Sequence, residues 1–341
     1  MSDFSIGVDL GGTNLRIAAM DEQGRLMEKV TLGTKTILGR DQVLNDMCRA
    51  IHQTTAKYQT DGTLLGVGIG LPGIIDMQTG MMRESPNLPG WADYPVRAEI
   101  EKRMGAPVIL ENDANCAALG EKWLGAGRHV GDMLMLTLGT GVGGGIIIGG
   151  KIHHGMTGMA GEFGHMTVEP EGNPCGCGNR GCLEQYSSAT AVVRMAREAI
   201  AAGQAPGLAK AASSDVEFSA KEIYNLAIQG DEGARKIFRR AGRALGISLA
   251  TLINGLNLEM YVIGGGVSSA WEAFAPSVFA ELGQRSMVWA ATAPTDPLGS
   301  PSGASAQVEP IGGPQTIVTR ALLGSDAGLY GAARLPIQRG C

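Results

Sequence analysis

A chain of 341 residues, 44% hydrophobic and 18% charged, is long enough for two domains with separate cores and too apolar to be disordered. Its balance is mildly acidic, 33 Asp and Glu against 28 Lys and Arg, with no basic block, so it offers no electrostatic footprint for nucleic acid. No apolar run approaches a membrane span, the opening residues lack the regions of a signal peptide, and six cysteines, three of them clustered, fit a reducing cytoplasm.

Glycine is the outlier at 52 residues, concentrated in turns directly after apolar runs, where a backbone can approach phosphates. Phe4 to Leu10 alternates and predicts a first strand, and Ile17 to Met20 predicts its return. Between them lies Asp9-Leu10-Gly11-Gly12-Thr13-Asn14, a hairpin turn rather than the strand-to-helix turn of a dinucleotide fold. Bare amides at Gly11 and Gly12 with the Thr13 hydroxyl can approach phosphate oxygens, and Asp9 is suited to hold a hydrated magnesium ion. An ordinary hairpin turn is the plainer meaning of the same residues.

Helical spacing follows over Asp41 to Tyr58, then a buried strand from Leu65 to Leu71 ending at Pro72-Gly73. Ser85 to Trp91 is a proline-rich loop, Val96 to Met104 a short helix, and Pro107 to Leu110 a strand running into Glu111-Asn112-Asp113. Asp113 thus falls at the carboxyl end of a strand, where open α/β sheets bind ligands. It can serve as a base in phosphoryl transfer or simply cap the helix predicted from Ala114 to Trp123. The opening pattern then recurs: a strand from Met133 to Leu138, a glycine turn through Gly139-Thr140-Gly141, and a returning strand Ile146 to Ile148, which suggests internal duplication.

Glu162-Phe163-Gly164-His165 precedes Cys175-Gly176-Cys177-Gly178-Asn179-Arg180-Gly181-Cys182-Leu183-Glu184. Three cysteines and His165 supply the four ligands of a tetrahedral structural zinc site. Disulfides fit poorly, because three is an odd number and a Cys-x-Cys pair bridges only with strain. Glu162 and Glu184 bracket the cluster and would be held by it. Helices are predicted over Ala189 to Ala202, Ala220 to Gln229 and Glu232 to Asn254, the last apolar at Ile237, Ala241, Leu245, Leu249 and Leu252. Met260 to Ile263 predicts a strand opening into a third glycine turn, Gly264-Gly265-Gly266, and then a helix. Residues 292–314 read as a surface excursion, and Ser325-Asp326 begins the final helix.

Together these motifs resemble the ROK family of sugar kinases, across essentially the whole chain. The resemblance implies an α/β protein of the actin-like ATPase/hexokinase (ribonuclease H-like) fold, with two lobes around a cleft. Residues 1–113 with about 318–341 would form the small lobe, and 114–317 the large lobe carrying the zinc loop. It implies that Asp113 is the general base for a sugar 6-hydroxyl, and that Gly73, Asn87, Asn112, Glu162, His165 and Glu184 surround the ring. Asp9, Gly11, Gly12, Thr13, Asn14, Thr140 and Gly141 would hold ATP and Mg²⁺ at the phosphates, with Gly265 and Gly266 at the adenosine. His165, Cys175, Cys177 and Cys182 would hold a structural Zn²⁺.

The activity so implied is that of a cytoplasmic, homodimeric ATP-dependent glucokinase with a small sugar as substrate and neither nucleic acid nor membrane as partner. Its rivals are a kinase of N-acetylmannosamine, N-acetylglucosamine, mannose or fructose, and a polyphosphate rather than ATP donor. A sugar-responsive repressor carries an amino-terminal helix-turn-helix, for which a first strand at Phe4 leaves no room. A non-catalytic sugar binder would alter Asp113 or the phosphate loops, and here they are intact.

Overall fold

The computed structural model describes residues 3–60, 62–85, 87–213, 218–297 and 313–339. Most of the surface excursion expected over 292–314, and Pro86 of the proline-rich loop, lie outside them. The chain opens with β1 (Phe4–Leu10), β2 (Asn14–Asp21), β3 (Leu26–Gly33), α1 (Arg40–Tyr58), β4 (Leu64–Leu71), β5 (Ile74–Asp76), β6 (Met81–Glu84), α2 (Val96–Met104), β7 (Val108–Asn112) and α3 (Asp113–Trp123). It continues with β8 (Met133–Leu138), β9 (Val142–Ile148), β10 (Lys151–Ile152), α4 (Glu184–Ser187), α5 (Ala189–Ala201), α6 (Pro206–Ala212), α7 (Ala220–Ile228) and α8 (Glu232–Leu256). It closes with β11 (Met260–Gly264), α9 (Trp271–Arg285), α10 (Met287–Thr292), β12 (Ile317–Arg320) and α11 (Ala327–Arg339). Among the described residues no helix is long and apolar enough to cross a membrane.

Two compact units result. Met1–Gly131, Gly145–Gly161 and Leu322–Cys341 form the first, Asp132–Gly144 and Glu162–Ala321 the second. The first therefore takes in α3 and the 145–161 segment, which the sequence division assigns to the large lobe. The reason is packing: α3 lies along α11, with Gly120 beneath Ala327 and Gly331 beneath Cys116.

In the first unit the sheet order is β3-β2-β1-β4-β7, with β1 antiparallel to β2 and parallel to β4. Successive side chains of a strand face opposite sides. In β1 the even positions Phe4, Ile6, Val8 and Leu10 enter a core with Val43, Leu44, Met47 and Ile51 of α1. The odd positions Ser5 and Gly7 face α11 instead, where the Ser5 hydroxyl donates to the Ala333 carbonyl at 2.7 Å. This layering places the carboxyl ends of β1, β4 and β7 in one unit.

In the second unit β8, β11 and β12 are parallel, with Val262 opposite Met135 on one side and Thr319 on the other. The long α8 buries the apolar set expected from its spacing, Ile237, Ala241, Leu245, Leu249 and Leu252. The Asp231 carboxylate caps it by accepting the Ala234 N–H at 2.8 Å. Strands β3, β5, β6, β10 and β12 and helices α4, α6 and α10 are absent from the sequence reading.

A β-carbon at Gly331 would run into the Cys116 carbonyl on α3. Alanine inside a helix gains at most about 1 kcal/mol over glycine, whereas overpacking costs about 1–3 kcal/mol. Gly331→Ala should therefore lower the urea midpoint, and an unchanged or raised midpoint would contradict this packing.

Candidate functional site

The first glycine turn is a true hairpin: Leu10 pairs with Leu15, Asp9 with Arg16, and the Gly11 N–H donates to the Asn14 carbonyl at 2.9 Å. Gly12, Thr13 and Asn14 at its tip are exposed. Arg16, which the sequence reading passes over, lies 3.2 Å from the Asp9 carboxylate and donates to the Ser325 carbonyl at 2.7 Å. Burial raises the Asp9 pKa, opposed by Arg16. A carboxylate held by one guanidinium keeps lone pairs for water on a hydrated cation, so the residue present fits magnesium through water.

Asn87 lies over the same turn, its carbonyl 3.2 Å from where a β-carbon of Gly12 would sit. Its loop is anchored by Leu88 and Trp91, both 1% exposed. At the end of β7 the N-cap of α3 is Asn112, not Asp113: the Asn112 Oδ1 accepts from the N–H groups of Ala114 at 2.9 Å and Asn115 at 3.3 Å. The amide geometry suits the cap, and Asp113 becomes the first helical residue. The Asn112 Nδ2 donates to the Gly73 carbonyl at 3.4 Å, so Gly73, Asn112 and Asp113 are brought together, as are Gly12 and Asn87.

Behind this corner Glu111 is 2% exposed. One of its oxygens accepts the Asn112 N–H at 2.9 Å and the Asn115 Nδ2 at 3.0 Å. The other meets His154 Nε2 at 2.6 Å, a contact that raises the His154 pKa.

In the second unit the turn between β8 and β9 is buttressed by α5. The Ala189 N–H donates to the Gly139 carbonyl and the Thr190 hydroxyl to the Thr140 carbonyl, both at 2.8 Å. Glu184 does more than the sequence suggests, because one of its oxygens accepts the Val142 N–H at 2.9 Å. A β-carbon at Gly141 would collide with that carboxylate. The cysteine loop and the glycine turn are thereby one object. In the third turn Gly265, at φ +81°, lies against the Leu138 backbone with no room for a side chain, and Gly266 is exposed beside it.

His165, Cys175, Cys177 and Cys182 converge, with one ligand atom from each within 4.8 Å of the others. Cys175 Sγ is 3.6 Å from His165 Nδ1, and Cys177 Sγ is 3.7 Å from Cys182 Sγ. Tetrahedral zinc at ordinary bond lengths sets S···N near about 3.6 Å and S···S near about 3.8 Å. Burial, then neighbouring Cys175 and Cys177, push the Cys182 thiol up to about 12. A hydrogen bond from the Asn179 backbone chiefly lowers Cys177. The donor set fits zinc. His165 Nε2 lies 3.9 Å from the Glu162 carboxylate, so that ring nitrogen and the acid are adjacent.

The expected site residues thus form two sets, one in each unit. The family model described as ROK family matches residues 5–339. The chain belongs to the ROK family. A glucokinase of Thermotoga maritima is 43% identical over 78% of this chain and 83% of its own length. A xylose repressor of Caldicellulosiruptor bescii is 33% identical over 83% of this chain and 71% of its own length. The crystal structure of a ROK family glucokinase from Streptomyces griseus with glucose and AMPPNP has a TM-score of 0.74 and 34% identity, covering 98% of this chain and 99% of that one. The ROK protein described here accordingly has the actin-like ATPase sugar-kinase fold that the motifs imply.

Arg16 and His154 are polar residues beside the site that the motifs leave out. Glu111 stands within a quoted motif and is distinguishable only by its burial. For the cysteine cluster, Cys177→Ala in this ROK protein should abolish stoichiometric zinc by elemental analysis, because three ligands no longer close the tetrahedron. A variant that retains one zinc per chain would remove Cys177 from the ligand set.

Proposed function

We propose that this ROK protein transfers the γ-phosphoryl group of ATP to the 6-hydroxyl of a hexose, and that the hexose is D-glucose. The likeness to proteins named glucokinase carries the reading, and the intact motifs of both glycine turns support it. In the reaction Asp113 accepts the proton of the 6-hydroxyl as that oxygen bonds to the γ-phosphorus. The bond from the γ-phosphorus to the bridging oxygen breaks, and ADP leaves. Positioning and electrostatics, rather than covalent chemistry, supply most of the rate in such transfers.

Asn112, Glu162, His165 and Glu184, with Gly73 and Asn87, bind the ring. Side-chain amides, carboxylates and imidazole offer both donors and acceptors to adjacent hydroxyls, and such a site rejects analogues lacking the matching group. Gly11, Gly12, Thr13, Asn14, Thr140 and Gly141 hold the phosphates by backbone N–H groups and hydroxyls, and Gly265 and Gly266 leave space for adenosine. Asp9 would hold Mg²⁺ through water, and the cation would supply charge to neutralise the phosphates. Zinc on His165, Cys175, Cys177 and Cys182 is structural, since four protein ligands leave no open position. The working form is a homodimer in the cytoplasm.

The acetamido sugars, mannose and fructose are the alternative acceptors, since all share most ring hydroxyls with glucose, and polyphosphate is the alternative donor. The likeness to a xylose repressor supplies a second reading, a sugar-responsive binder without turnover. One experiment separates them: ADP release from ATP and Mg²⁺ across a panel of free sugars, repeated with polyphosphate. A kcat/KM highest for glucose is expected. Preference for N-acetylmannosamine or N-acetylglucosamine would overturn the substrate, and no turnover with any sugar would leave the binder.

Loss of a general base costs about 10²–10⁴ in rate. Asp113→Asn should lower kcat by about that factor while glucose binding by calorimetry stays within about threefold. Loss of turnover and binding together would undermine the assignment of Asp113 as base.

A further inference from the structure

Glu111 is a carboxylate 2% exposed, at the one point where the chain turns from β7 into α3. A buried charge must be paired and hydrogen-bonded or it is costly to keep. One oxygen accepts two donors, the Asn112 N–H at 2.9 Å and the Asn115 Nδ2 at 3.0 Å. These donors stand on either side of Asp113 in the chain, so a single oxygen fixes both flanks of the residue. The Asn115 Oδ1 is buried without a hydrogen-bond partner, and its side chain is held through that Nδ2. The second oxygen of Glu111 meets His154 Nε2 at 2.6 Å.

Other charges press on the same place. The carboxylates of Glu111, Asp9 and Asp113 all act on the buried Cys116 thiol, raising its pKa behind the larger effect of burial. Arg16 answers Asp9, and His154 is the donor that answers Glu111. His154 comes from the segment after β10, its side chain 37% exposed, so it reaches in from the surface rather than filling the core. Its carbonyl also accepts the Ala160 N–H at 3.2 Å, which fixes the segment that presents it.

We infer that His154 is a positioning residue for phosphoryl transfer, acting through Glu111 to hold the Asn112–Asp113 corner in the geometry the base requires. The inference rests on the reading of Asp113 as base. His154 has no role in the motifs that define the site. With Nε2–H donating, Glu111 stays in the rotamer that binds Asn112 and Asn115. Without that donor the carboxylate is drawn toward water, and both flanks of Asp113 loosen. A misplacement of about 1 Å can cost about 100-fold in rate without removing any catalytic group.

The contact is made by Nε2, which defines the test. A glutamine amide can reproduce the position of Nε2, whereas the shorter asparagine amide reproduces Nδ1. In full-length protein with glucose, ATP and Mg²⁺, His154→Asn should lower kcat by about tenfold or more while the glucose Kd, measured without nucleotide, moves less than about threefold. His154→Gln should recover most of the kcat. In a Glu111→Gln background, adding His154→Asn should lower kcat no further, since residues acting through one contact are not additive.

Wild-type kcat in His154→Asn overturns the inference. So does a loss that glutamine fails to restore, or a loss that multiplies with Glu111→Gln. Where His154→Asn does not fold, His154→Gln against Glu111→Gln decides: glutamine must then give near-wild-type kcat and Glu111→Gln a reduced one. Asp113→Asn distinguishes the two levels of failure. Near-wild-type kcat there removes the base reading and this inference with it, whereas an inactive Asp113→Asn beside a wild-type His154→Asn removes only the role of His154.

Discussion

The first unit depends on a backbone approach that only glycine permits. Where α11 crosses the sheet, β-carbons at Gly7 and Gly68 would overlap the carbonyls of Leu329 and Ala332. The helix therefore lies directly on β1 and β4, and α3 lies directly on the helix. Three remote stretches of chain become one body by this contact, from the first strand to the last helix. Its consequence for chemistry is that the ends of β1, β4 and β7, carrying Asp9, Gly73 and Asn112–Asp113, belong to a single rigid sheet. Interiors packed this closely transmit displacement rather than absorb it. Elements so packed can keep the sub-ångström placement that a proton transfer needs.

A second theme is the use of carboxylates as backbone fasteners. Glu111 receives a backbone N–H at the end of β7. Glu121, fully buried, receives the N–H groups of Ala126, Leu322 and Leu323 at 2.8, 3.1 and 2.7 Å. Glu184 receives that of Val142. A hydrogen bond to a carboxylate is roughly twice as strong as one between neutral groups. Each acid joins places far apart in sequence: Glu121 ties the end of α3 to the approach of α11, and Glu184 ties the cysteine loop to the second glycine turn. The glutamate expected to serve as a sugar ligand is therefore also part of the scaffold of the second glycine turn.

Legibility from sequence followed the strength of local signals. The glycine turns, α8 and the cysteine cluster were readable because each declares itself within one window, by glycine after an apolar run, by 3.6-residue periodicity, or by ligand spacing. The edge strand β3 is hard to read because its alternation is confined to residues 29–33 and none of its residues is fully buried. Short β5 and β6 pair with each other across residues 77–80, too few residues for an alternation to show, and β12 is defined by its remote partner β11. The cap of α3 went to Asn112 because two cap-competent residues stand side by side, and propensity does not order them. Arg16, Glu121 and His154 are ordinary polar residues until the fold brings Asp9, Leu322 and Glu111 to them.

On the proposed assignment, a structural metal cluster in the cysteine loop also shapes recognition. His165 turns Nδ1 toward Cys175 and leaves Nε2 on the side of Glu162. When a metal takes Nδ1, the neutral ring keeps its proton on Nε2, so the tautomer is set by coordination rather than by solvent. A fixed N–H donor then stands beside a carboxylate acceptor. Vicinal hydroxyls of a pyranose each offer a donor and an acceptor, and one fixed donor beside one fixed acceptor reads their order as well as their presence. The same four ligands also hold Glu184 at the start of α4, two residues beyond Cys182, where one oxygen is committed to the Val142 N–H. On the proposed assignment, losing the metal frees the His165 tautomer and the Glu184 anchor together. Sugar recognition and the second phosphate turn would then fail as a unit rather than one hydrogen bond at a time.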